Sequence, residues 1–437
     1  MSSSSAAGIA PEAPAARGLR ILLLILQFPP DVNSTGVLMA QVAEGLVQRG
    51  HHVAVLTTFP HYEHFRVWDE YRGKLAARDS YDGVNVLRLA VFADGRKERM
   101  THRLLSYLSF NALAAAAGLL DRHAYDVILC TNGSFFTGIT AQIVGIGRRM
   151  PFIYNVQDLY PETPVAAGQL TNRRAIAALE RLESWMYRAA AHISVITPCF
   201  RDNITAKGVP GEKISVIPNF VDTEFIRPLP KANGFAEEHG LADKFVVTHA
   251  GNLGYVYDLD TMLEAAALLG GEKDILFVIV GEGVAKPTLE RKAGALGLHN
   301  VRFLPFQPLD ALPWLRAASD VQVSLYKHGS ARYSMPSKIY EIMASGRPLL
   351  ASADRGSDLW KLVDDAACGI CVEPGDATAL AEAVLALHRD IARREAAGAS
   401  GRRRAEQSYS RAAVASQYDD LLRRVAGRRV AASTTRS

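Results

Sequence analysis

The segment Phe245-Val-Val-Thr-His-Ala-Gly-Asn-Leu-Gly254 decides the fold class, because it starts again in mid-chain a pattern that also opens the chain. Residues 245–250 are typical of a buried strand, a glycine-containing loop follows, and inward-facing apolar residues recur at helical spacing from Leu259. The stretch Arg20 to Phe28 is likewise followed by an amphipathic helix, which ends at Gly50. Strands that are apolar on both faces and alternate with amphipathic helices indicate parallel sheets covered on both sides.

Further strands are predicted in both halves of the chain. In the first half they are Val53 to Thr57, Val84 to Leu89, Asp126 to Thr131, Phe152 to Val156 and Ile193 to Thr197, with helices near residues 101–121, 136–149 and 174–190. In the second half they are Ile275 to Val280, Val301 to Leu304, Val321 to Leu325, Pro348 to Ser352 and Gly369 to Val372. Two successive sets of βα units predict an α/β protein with two Rossmann-like, doubly wound parallel-sheet domains.

Proline, asparagine and glycine interrupt the periodicity between Pro218 and Glu237, which places the domain boundary there. We therefore expect an N-terminal Rossmann-like domain at residues 19–220 and a C-terminal one at 221–405. A final helix is expected at 406–428, and its packing partner cannot be read from periodicity. Residues 1–18 and 429–437 are expected to be disordered tails.

Composition excludes several classes of protein. The chain has 437 residues, of which 49% are hydrophobic, and its 49 Lys and Arg against 45 Asp and Glu give a net charge of +4. This balance argues against a largely disordered chain and against nucleic acid as a partner. The apolar run Ile21 to Leu26 is interpreted as a first buried strand rather than a signal peptide, since no small-residue cleavage site follows it. Leu104 to Leu120 contains polar residues and is shorter than the roughly 20 residues that span a bilayer, so we expect a soluble or peripheral protein.

Cysteine and histidine spacing offers no convincing metal site. Cys368 and Cys371 form C-x-x-C in an apolar run, and no second Cys or His pair stands nearby, which favours two small buried residues over a redox or metal role. His61 and His64 resemble a metal pair, but no third ligand is in sight. We expect no bound metal and no cofactor.

Loops after the strands are where doubly wound domains bind ligands. Neither G-x-G-x-x-G nor G-x-x-x-x-G-K-[ST] follows the first strand, which argues against a nicotinamide or P-loop site there. Gly36 at the mouth of the first helix is either a turn glycine or a substrate contact. In the second half, Gly251-Asn-Leu-Gly254 and Gly281-Glu-Gly283 follow strands, and their backbone N–H groups suit a diphosphate, although ordinary turns would use the same residues.

The most informative segment runs from Ser334 to Pro348, Ser-Met-Pro-Ser-Lys-Ile-Tyr-Glu-Ile-Met-Ala-Ser-Gly-Arg-Pro. Ser337, Lys338 and Glu341 fall on one helix face, because they are three and four residues apart. Lys338 can meet a phosphate, and Glu341 can accept hydrogen bonds from ribose hydroxyls. An exposed Lys–Glu pair would explain the two charges but not the whole segment.

Polar groups also follow a strand in Asn155-Val-Gln-Asp-Leu-Tyr-Pro-Glu162. Asp158 and Glu162 are candidates for a carboxylate pair in acid–base work. Asp158 is equally well explained as the cap of the turn before Pro161. The residues alone leave these alternatives open.

The ordered set of motifs resembles the retaining, GT-B-fold nucleotide-sugar glycosyltransferases of glycosyltransferase family 4, and among them bacterial enzymes of the fucosamine and colanic-acid polysaccharide type. The resemblance runs from about Leu19 to Tyr418. It rests on Gln27-Phe-Pro-Pro with Gly36, Gln157-Asp-Leu-Tyr-Pro-Glu162, Gly251-Asn-Leu-Gly254, Gly281-Glu-Gly283, Pro336-Ser-Lys-Ile-Tyr-Glu341 with Gly346-Arg-Pro348, and Glu373-Pro-Gly-Asp376.

The resemblance implies a role for each motif. A nucleotide-diphosphate sugar would bind the second domain through Gly251, Asn252, Leu253, Gly254, Gly281, Gly283, Ser337, Lys338 and Glu341, with Glu341 on the ribose. The acceptor would bind the first domain near Gly36 and His61, and Gln157 and Asp158 would be the catalytic pair. The chain departs from the family at Tyr333, where a first glutamate is usual, and at Asn252 and Asp258, near the places of the usual diphosphate-binding cations.

The mechanism that the resemblance implies is transfer with retention, in which the acceptor hydroxyl enters on the side that the diphosphate leaves. A UDP-sugar is the expected donor, such as one of an N-acetylated hexosamine or a 6-deoxyhexosamine, and a lipid-linked glycan or a saccharide is the expected acceptor. We expect a cytoplasmic enzyme of surface-polysaccharide biosynthesis. Arg96, Lys97, Arg99 and Arg103 beside the apolar segment, with Arg148 and Arg149, would suit peripheral contact with the inner membrane, or a solvated charged face. A nucleotide-sugar epimerase and a non-catalytic nucleotide-sugar-binding protein are the alternatives.

Overall fold

The computed structural model describes residues 17–31, 33–96, 99–166, 170–330 and 335–434. Tyr333 and Ser334, Lys97 of the basic group, and most of the predicted tail at 1–18 lie outside these ranges. So do residues 435–437 of the predicted C-terminal tail.

The first half of the chain forms a mainly parallel sheet. Its described strands are β1 (Arg20–Leu24), β2 (His52–Thr58), β3 (Ala76–Tyr81), β4 (Val84–Leu89), β5 (Val127–Thr131), β6 (Phe152–Val156), β7 (His192–Val195) and β8 (Ile214–Val216). They lie in the order β3-β4-β2-β1-β5-β6-β7-β8. We call this the first sheet.

Strand β3 was not predicted, and it is the antiparallel edge of the first sheet. It pairs with β4 through a tight turn at Asp82 and Gly83, which both have positive φ, 44° and 83°. Its residues are mostly exposed and include Arg78 and Asp79, so no apolar run marks it in the sequence.

The second half of the chain forms a sheet in which every strand pair is parallel. Its described strands are β9 (Phe245–Ala250), β10 (Ile275–Val280), β11 (Val301–Leu304), β12 (Val321–Leu325), β13 (Leu349–Ser352) and β14 (Gly369–Val372). Their order is β11-β10-β9-β12-β13-β14. This second sheet, together with the first, confirms the predicted α/β class with two Rossmann-like sheets.

Helices connect the strands and cover both sheets. Those on the first half are α1 (Ser34–Gln48), α2 (Met100–Leu120), α3 (Phe135–Arg148), α4 (Glu162–Ala166), α5 (Arg173–Ala189) and α6 (Pro198–Ala206). Those on the second half are α7 (Gly234–Glu238), α8 (Leu259–Leu268), α9 (Lys286–Ala295), α10 (Leu312–Ala318), α11 (Lys338–Ala344), α12 (Asp358–Ala366), α13 (Ala377–Arg389), α14 (Ile391–Ser408) and α15 (Arg411–Thr434).

Strand β1 lies in the middle of the first sheet, between β2 and β5. Ile21, Leu23 and Leu24 are at most 2% exposed, because helices cover both faces of the sheet there. The structure therefore confirms that the run Ile21 to Leu26 begins as a buried strand.

The end of the chain differs from the prediction of one helix at 406–428. Helix α14 ends before Tyr409, whose carbonyl accepts a hydrogen bond from the N–H of Val221, and α15 begins at Arg411. Residues 429–434, predicted as tail, continue α15. Tyr418 and Leu422 of α15 pack into the core of the first sheet, so the chain returns to its first half.

Helix α2 is 21 residues long, and it is the described helix that is long and apolar enough to cross a membrane by length and composition alone. The expectation that this stretch is too short to span a bilayer was therefore wrong as to its length. Phe110 and Ala114 are fully buried in the core of the first sheet. Its other side leaves Leu104, Leu105 and Leu108 more than 40% exposed.

Candidate functional site

Both sheets have a point where the strand order reverses, which is where open α/β sheets bind ligands. In the first sheet β1 lies between β2 and β5, and in the second β9 lies between β10 and β12. The loops that leave the carboxyl ends of these strands carry most of the predicted site residues. The fold therefore brings the predicted residues together in two groups, one on each sheet.

The glycines after β9 and β10 are required by close packing between the two loops. A Cβ on Gly281 would lie 1.9 Å from the carbonyl oxygen of Gly251, and one on Gly283 would lie 2.4 Å from that of Leu253. Positive φ at Gly251 (143°) and Gly281 (142°) adds to this requirement. These glycines hold the loops against each other at the carboxyl edge of the second sheet.

Three N–H groups of these loops are already hydrogen-bonded to backbone carbonyls and are not free for a diphosphate. Gly251 donates to the carbonyl of Val280, Gly281 to that of Leu304 and Leu253 to that of Glu282, at 3.0, 3.1 and 2.9 Å. Leu253 is also fully buried. Local sequence does not record such loop–loop hydrogen bonds, and the role of these loops in donor binding stays a prediction.

Lys338 begins α11 and reaches toward the first of these loops, with its Cδ 3.9 Å from the Cβ position of Gly251. Its ammonium lies 4.1 Å from the centre of the Tyr257 ring. Nζ is buried and has no hydrogen-bond partner among the described residues. Burial, and secondarily the charge of Arg316, lowers the pKa of Lys338 to about 7.

Glu341 lies one turn further along α11 and is paired with a residue that the sequence analysis missed. Its Oε2 accepts a hydrogen bond from Nη2 of Arg316 at 2.6 Å, and the two side chains are 29% and 3% exposed. Arg316 in turn donates to the side chain of Gln322 on β12. The guanidinium fixes one carboxylate oxygen, while the partly exposed side chain can present the other to a ligand.

The other predicted residues of the second sheet surround this pair. Asn252 is exposed in its loop, and Ser337 directly precedes Lys338. Asp258 is buried, and its carboxylate accepts the N–H of Gly375 at 2.8 Å. This carboxylate, which lies near the place of a usual diphosphate-binding cation, is therefore committed to a backbone donor.

His249, the second residue missed, is fully buried at the end of β9. Its ring lies 5.5 Å from that of Tyr257, at 66°. Burial, with a further contribution from Lys338, holds its pKa well below the usual range, so the imidazole is neutral. The neutral imidazole of His249 therefore supplies no negative charge to balance Lys338.

On the first sheet, a cavity of about 360 Å³ opens at the carboxyl ends of β1, β5 and β6. Gly36, His61 and Asp158 all line it, so the structure brings together residues that are far apart in sequence. Gly36 is required there, since a Cβ would lie 2.8 Å from the carbonyl oxygen of Gln27. We call this space the first-sheet cavity.

His61 is set in place by Asp31, which the sequence analysis did not single out. The Asp31 carboxylate accepts the N–H groups of His61 and Tyr62 at 3.0 and 2.9 Å. The imidazole Nδ1 lies 2.9 Å from the carbonyl oxygen of Phe59. The Asp31 carboxylate is almost fully buried, so this loop is held firmly at the cavity wall.

Gln157 and Asp158 follow β6 and are held by a hydrogen-bonded network. The amide of Asn132 accepts the N–H of Gln157 at 2.8 Å and donates to the carbonyl of Asp158 at 2.6 Å. The Gln157 side chain donates to Asn155, whose own amide donates to the hydroxyl of Tyr418 on α15. The Asp158 side chain is exposed to the cavity, and burial by the surrounding walls raises its pKa.

Four other residues singled out in the sequence take no part in these groups. Glu162 pairs with Lys207 at 2.5 Å rather than with Asp158. His64 is 79% exposed next to Glu63, whereas His61 is buried. Cys368 and Cys371 are free thiols, and burial raises the pKa of each to about 12. Among the described residues, no three His, Cys, Asp or Glu side chains form a metal-binding group.

Comparison with known sequence families decides the identity. The Glycosyl transferase 4-like domain matches residues 35–219, and the Glycosyl transferases group 1 family matches residues 234–404. The chain belongs to the GT-B glycosyltransferases of the family 4 type. Both matches together cover most of the chain, so the predicted class of enzyme is confirmed.

Individual relatives agree with this assignment. The glycosyltransferase is 25% identical to WcaI of Escherichia coli, named as a colanic acid biosynthesis glycosyl transferase, over 86% of this chain and 95% of that one. It is 28% identical to alpha-D-kanosaminyltransferase of Streptomyces kanamyceticus over 54% and 61%. Among solved structures, Anabaena HepE in complex with UDP and glucose shares the fold at 18% identity and a TM-score of 0.67, over 92% and 99% of the two chains.

The two residue groups of the glycosyltransferase lie on domains that contact each other. Met335, just before α11, packs against the core of the first sheet and against the second-domain cluster that contains Ile339 and Tyr340. The Asp358 carboxylate at the start of α12 accepts the N–H of Cys199 at the start of α6, at 2.8 Å. The segment that carries Lys338 and Glu341 therefore begins at the contact between the two domains.

Proposed function

We propose that this glycosyltransferase transfers a sugar from a nucleotide-diphosphate donor, with retention, to a lipid-linked glycan or a saccharide in surface-polysaccharide biosynthesis. The observation that carries the proposal is the buried ammonium of Lys338, which lacks a hydrogen-bond partner among the described residues. A buried ammonium without an anion is costly, and a diphosphate would supply that anion. Glu341, one helical turn away, is the proposed acceptor of ribose hydrogen bonds.

A UDP-sugar is the donor we favour. HepE, which shares the fold, was solved with UDP and with UDP-glucose. The sugar proposed is an N-acetylated hexosamine or a 6-deoxyhexosamine. The name of WcaI supports a product that becomes part of a polysaccharide.

In the proposed reaction, the bond between the anomeric carbon and the diphosphate breaks, and the nucleoside diphosphate leaves with the electron pair of that bond. The acceptor oxygen forms a new bond to the anomeric carbon from the same side, and the proton of the acceptor hydroxyl passes to Asp158. Lys338 stabilises the charge that develops on the leaving diphosphate. Asp158, at the wall of the first-sheet cavity, accepts a hydrogen bond from the acceptor hydroxyl and orients it. Its raised pKa brings it closer to the range in which a carboxylate can accept a proton.

No metal ion or cofactor is part of this proposal. Charge on the diphosphate would be balanced by Lys338 and by the polar groups around it. Turnover in EDTA should therefore equal turnover with added Mg²⁺.

Two measurements test the proposal. Thermal-shift titrations with UDP, GDP, ADP and dTDP should show stabilisation by one of them, with UDP the strongest. Labelled donors with membrane lipids should then give a product whose anomeric configuration, read by NMR, equals that of the donor. Stabilisation by none of the four nucleotides would contradict the donor site, and an inverted product would contradict retention. Conversion of the donor without an acceptor would indicate an epimerase instead.

We also propose a cytoplasmic enzyme that contacts the inner membrane through the start of α2. Exposed Leu104, Leu105 and Leu108 follow the exposed Arg96 and Arg99, an arrangement that suits an anionic lipid surface. The protein should sediment with anionic vesicles at low salt, and changing Arg96, Lys97 and Arg99 to Gln should release it. Wild-type protein that stays in solution with such vesicles would contradict the contact.

A further inference from the structure

We infer that the acceptor carries a phosphate or diphosphate group, and that Arg103 receives this group at the wall of the first-sheet cavity. This inference rests on the proposed function, and it assigns a chemical class to the acceptor. From the sequence, Arg103 was predicted to belong with the basic residues of a surface. The structure separates it from them, because Arg103 lines the cavity that Gly36, His61 and Asp158 also line.

The guanidinium is held in the cavity wall by tyrosines. Tyr107, one turn further along α2, accepts a hydrogen bond from Arg103, and Tyr160 and Tyr62 lie close enough to influence its charge. Together these contacts raise the pKa of Arg103 further, with the hydrogen bond to Tyr107 as the largest cause. Arg103 is therefore a positive charge that tyrosines hold at the cavity wall.

A carboxylate and a guanidinium line the same cavity without pairing. Burial alone raises the pKa of Asp158, whereas an ion pair with Arg103 would lower it. Tyr160 is influenced by both charges, so its ring lies near each of them. The cavity wall thus presents a positive charge at Arg103 and, at a different point, a carboxylate at Asp158 that can accept a hydrogen bond.

The charges of Asp158 and Arg103 fit a ligand that carries a hydroxyl group near Asp158 and an anionic group near Arg103. A sugar hydroxyl can donate to Asp158, while phosphate oxygens accept two hydrogen bonds from the planar guanidinium. Tyr62, Tyr107 and Tyr160 line the same cavity, and aromatic rings suit the apolar faces of a sugar. A sugar phosphate meets all three requirements.

Such a phosphate could belong to a free sugar phosphate or to a lipid carrier, since both present the same oxygens to Arg103. The exposed apolar residues Leu104 and Leu105 directly follow Arg103 on α2. A lipid tail would have apolar contacts there, whereas a free sugar phosphate would gain nothing from them. The two sources can therefore be distinguished by experiment.

The test uses the full chain with UDP at saturating concentration, so that the donor side is occupied. Pyrophosphate is titrated by calorimetry into the wild type, Arg103→Gln, Arg103→Lys and Arg122→Gln. We expect binding by the wild type and by Arg122→Gln, which changes an exposed arginine just after the end of the same helix and outside the cavity lining. Arg103→Gln should weaken it by about tenfold or more, and Arg103→Lys should recover part of the loss.

Two outcomes would overturn the inference: no pyrophosphate binding to the UDP-saturated wild type, or equal binding by Arg103→Gln. Loss of UDP binding itself would instead count against the proposed function, so the two failures are distinguishable. A second arm replaces pyrophosphate with glucose 1-phosphate or with undecaprenyl diphosphate in detergent micelles. If Leu105→Gln weakens only the undecaprenyl diphosphate, the lipid carrier is the source; if it changes neither affinity, a free sugar phosphate is.

Discussion

At the scale of single residues, the site is a set of charges whose partners could be only partly predicted. Lys338 and Glu341 were identified from their spacing on one helix face, because i, i+3 neighbours lie together. Arg316, the partner of Glu341, and His249, beside Tyr257, were missed. Their contacts arise where separate strands and helices meet, and no local pattern records such a meeting.

Glu341 provides the first prediction. Glu341→Ala should weaken UDP binding by roughly 1.5–3 kcal/mol, because a charged acceptor of ribose hydrogen bonds is lost. It should also lower the melting temperature, because Arg316 is buried and loses its carboxylate. Calorimetry with UDP and with 2′-deoxy-UDP measures the ribose contribution directly.

Glu341→Gln is the matched control, since its amide keeps the size of the side chain and one acceptor oxygen, and its loss should be smaller. The wild type should prefer UDP over the deoxy analogue, and Glu341→Ala should bind the two alike. An undiminished preference in Glu341→Ala would remove Glu341 from the ribose site.

Lys338 provides a prediction about pH. Its pKa of about 7 in the protein lies below the ordinary value, and a bound diphosphate would raise it again. UDP binding should therefore take up a proton above pH 7, and affinity should fall by up to about tenfold per pH unit from there. Below pH 7, Lys338 is protonated with and without UDP, so it adds no pH dependence to the affinity. Calorimetry at several pH values with Lys338→Met as the control isolates the effect, since the variant should bind weakly and show no such fall.

The same residue links function to stability. Because the pKa of Lys338 is lowered in the folded protein, the unfolded chain binds more protons than the folded one between about pH 7 and pH 10.4. The contribution of Lys338 therefore makes the free energy of unfolding rise with pH across this window. Lys338→Met should melt at a higher temperature than the wild type at pH 7, and the difference should shrink toward pH 10. A variant that is less stable at pH 7 would show that the ammonium has a partner in the folded protein.

At the scale of elements, the positions of the strands were easier to predict from the sequence than the elements that each one packs against. All six strands of the second sheet were predicted, since continuous apolar runs mark strands that are buried on both faces. The edge strand Ala76–Tyr81 was missed, because it is largely exposed. The partner of α15 was also unknown, although α15 packs on α1 and supplies Tyr418 to the network behind Gln157.

This network makes α15 a positioning element for the first-sheet cavity. Tyr418→Phe removes the hydroxyl that accepts from Asn155 and should lower the free energy of unfolding by about 0.5–1.5 kcal/mol. Turnover should fall, because Asn155 in turn holds Gln157, while UDP affinity should stay unchanged. The measurements are steady-state kinetics and UDP calorimetry on the same preparation.

Tyr409→Phe serves as the control, because Tyr409 packs on Tyr340 in the core of the second half. It should change stability but leave the ratio of turnover to UDP affinity as in the wild type. Wild-type turnover in Tyr418→Phe would show that α15 has only a structural role.

At the scale of the whole molecule, two crossings join the halves of the chain. The first runs from β8 to α7, and the second lies between α14 and α15, where Arg411 pairs with Glu44 of α1 and with Asp222. The sequence predicted two domains and the interruption at 218–237. It could not predict the return of α15 to the first domain, because Tyr418 and Asn155 are separated by 263 positions.

The central claim is that the second domain holds an activated sugar through Lys338 and Glu341, facing an acceptor cavity in the first. A crystal structure of the enzyme with UDP tests it most directly. We expect Nζ of Lys338 within hydrogen-bonding distance of a diphosphate oxygen, and the Glu341 carboxylate within that distance of a ribose hydroxyl. UDP bound at any other place, with Nζ still without an anion, would contradict the claim.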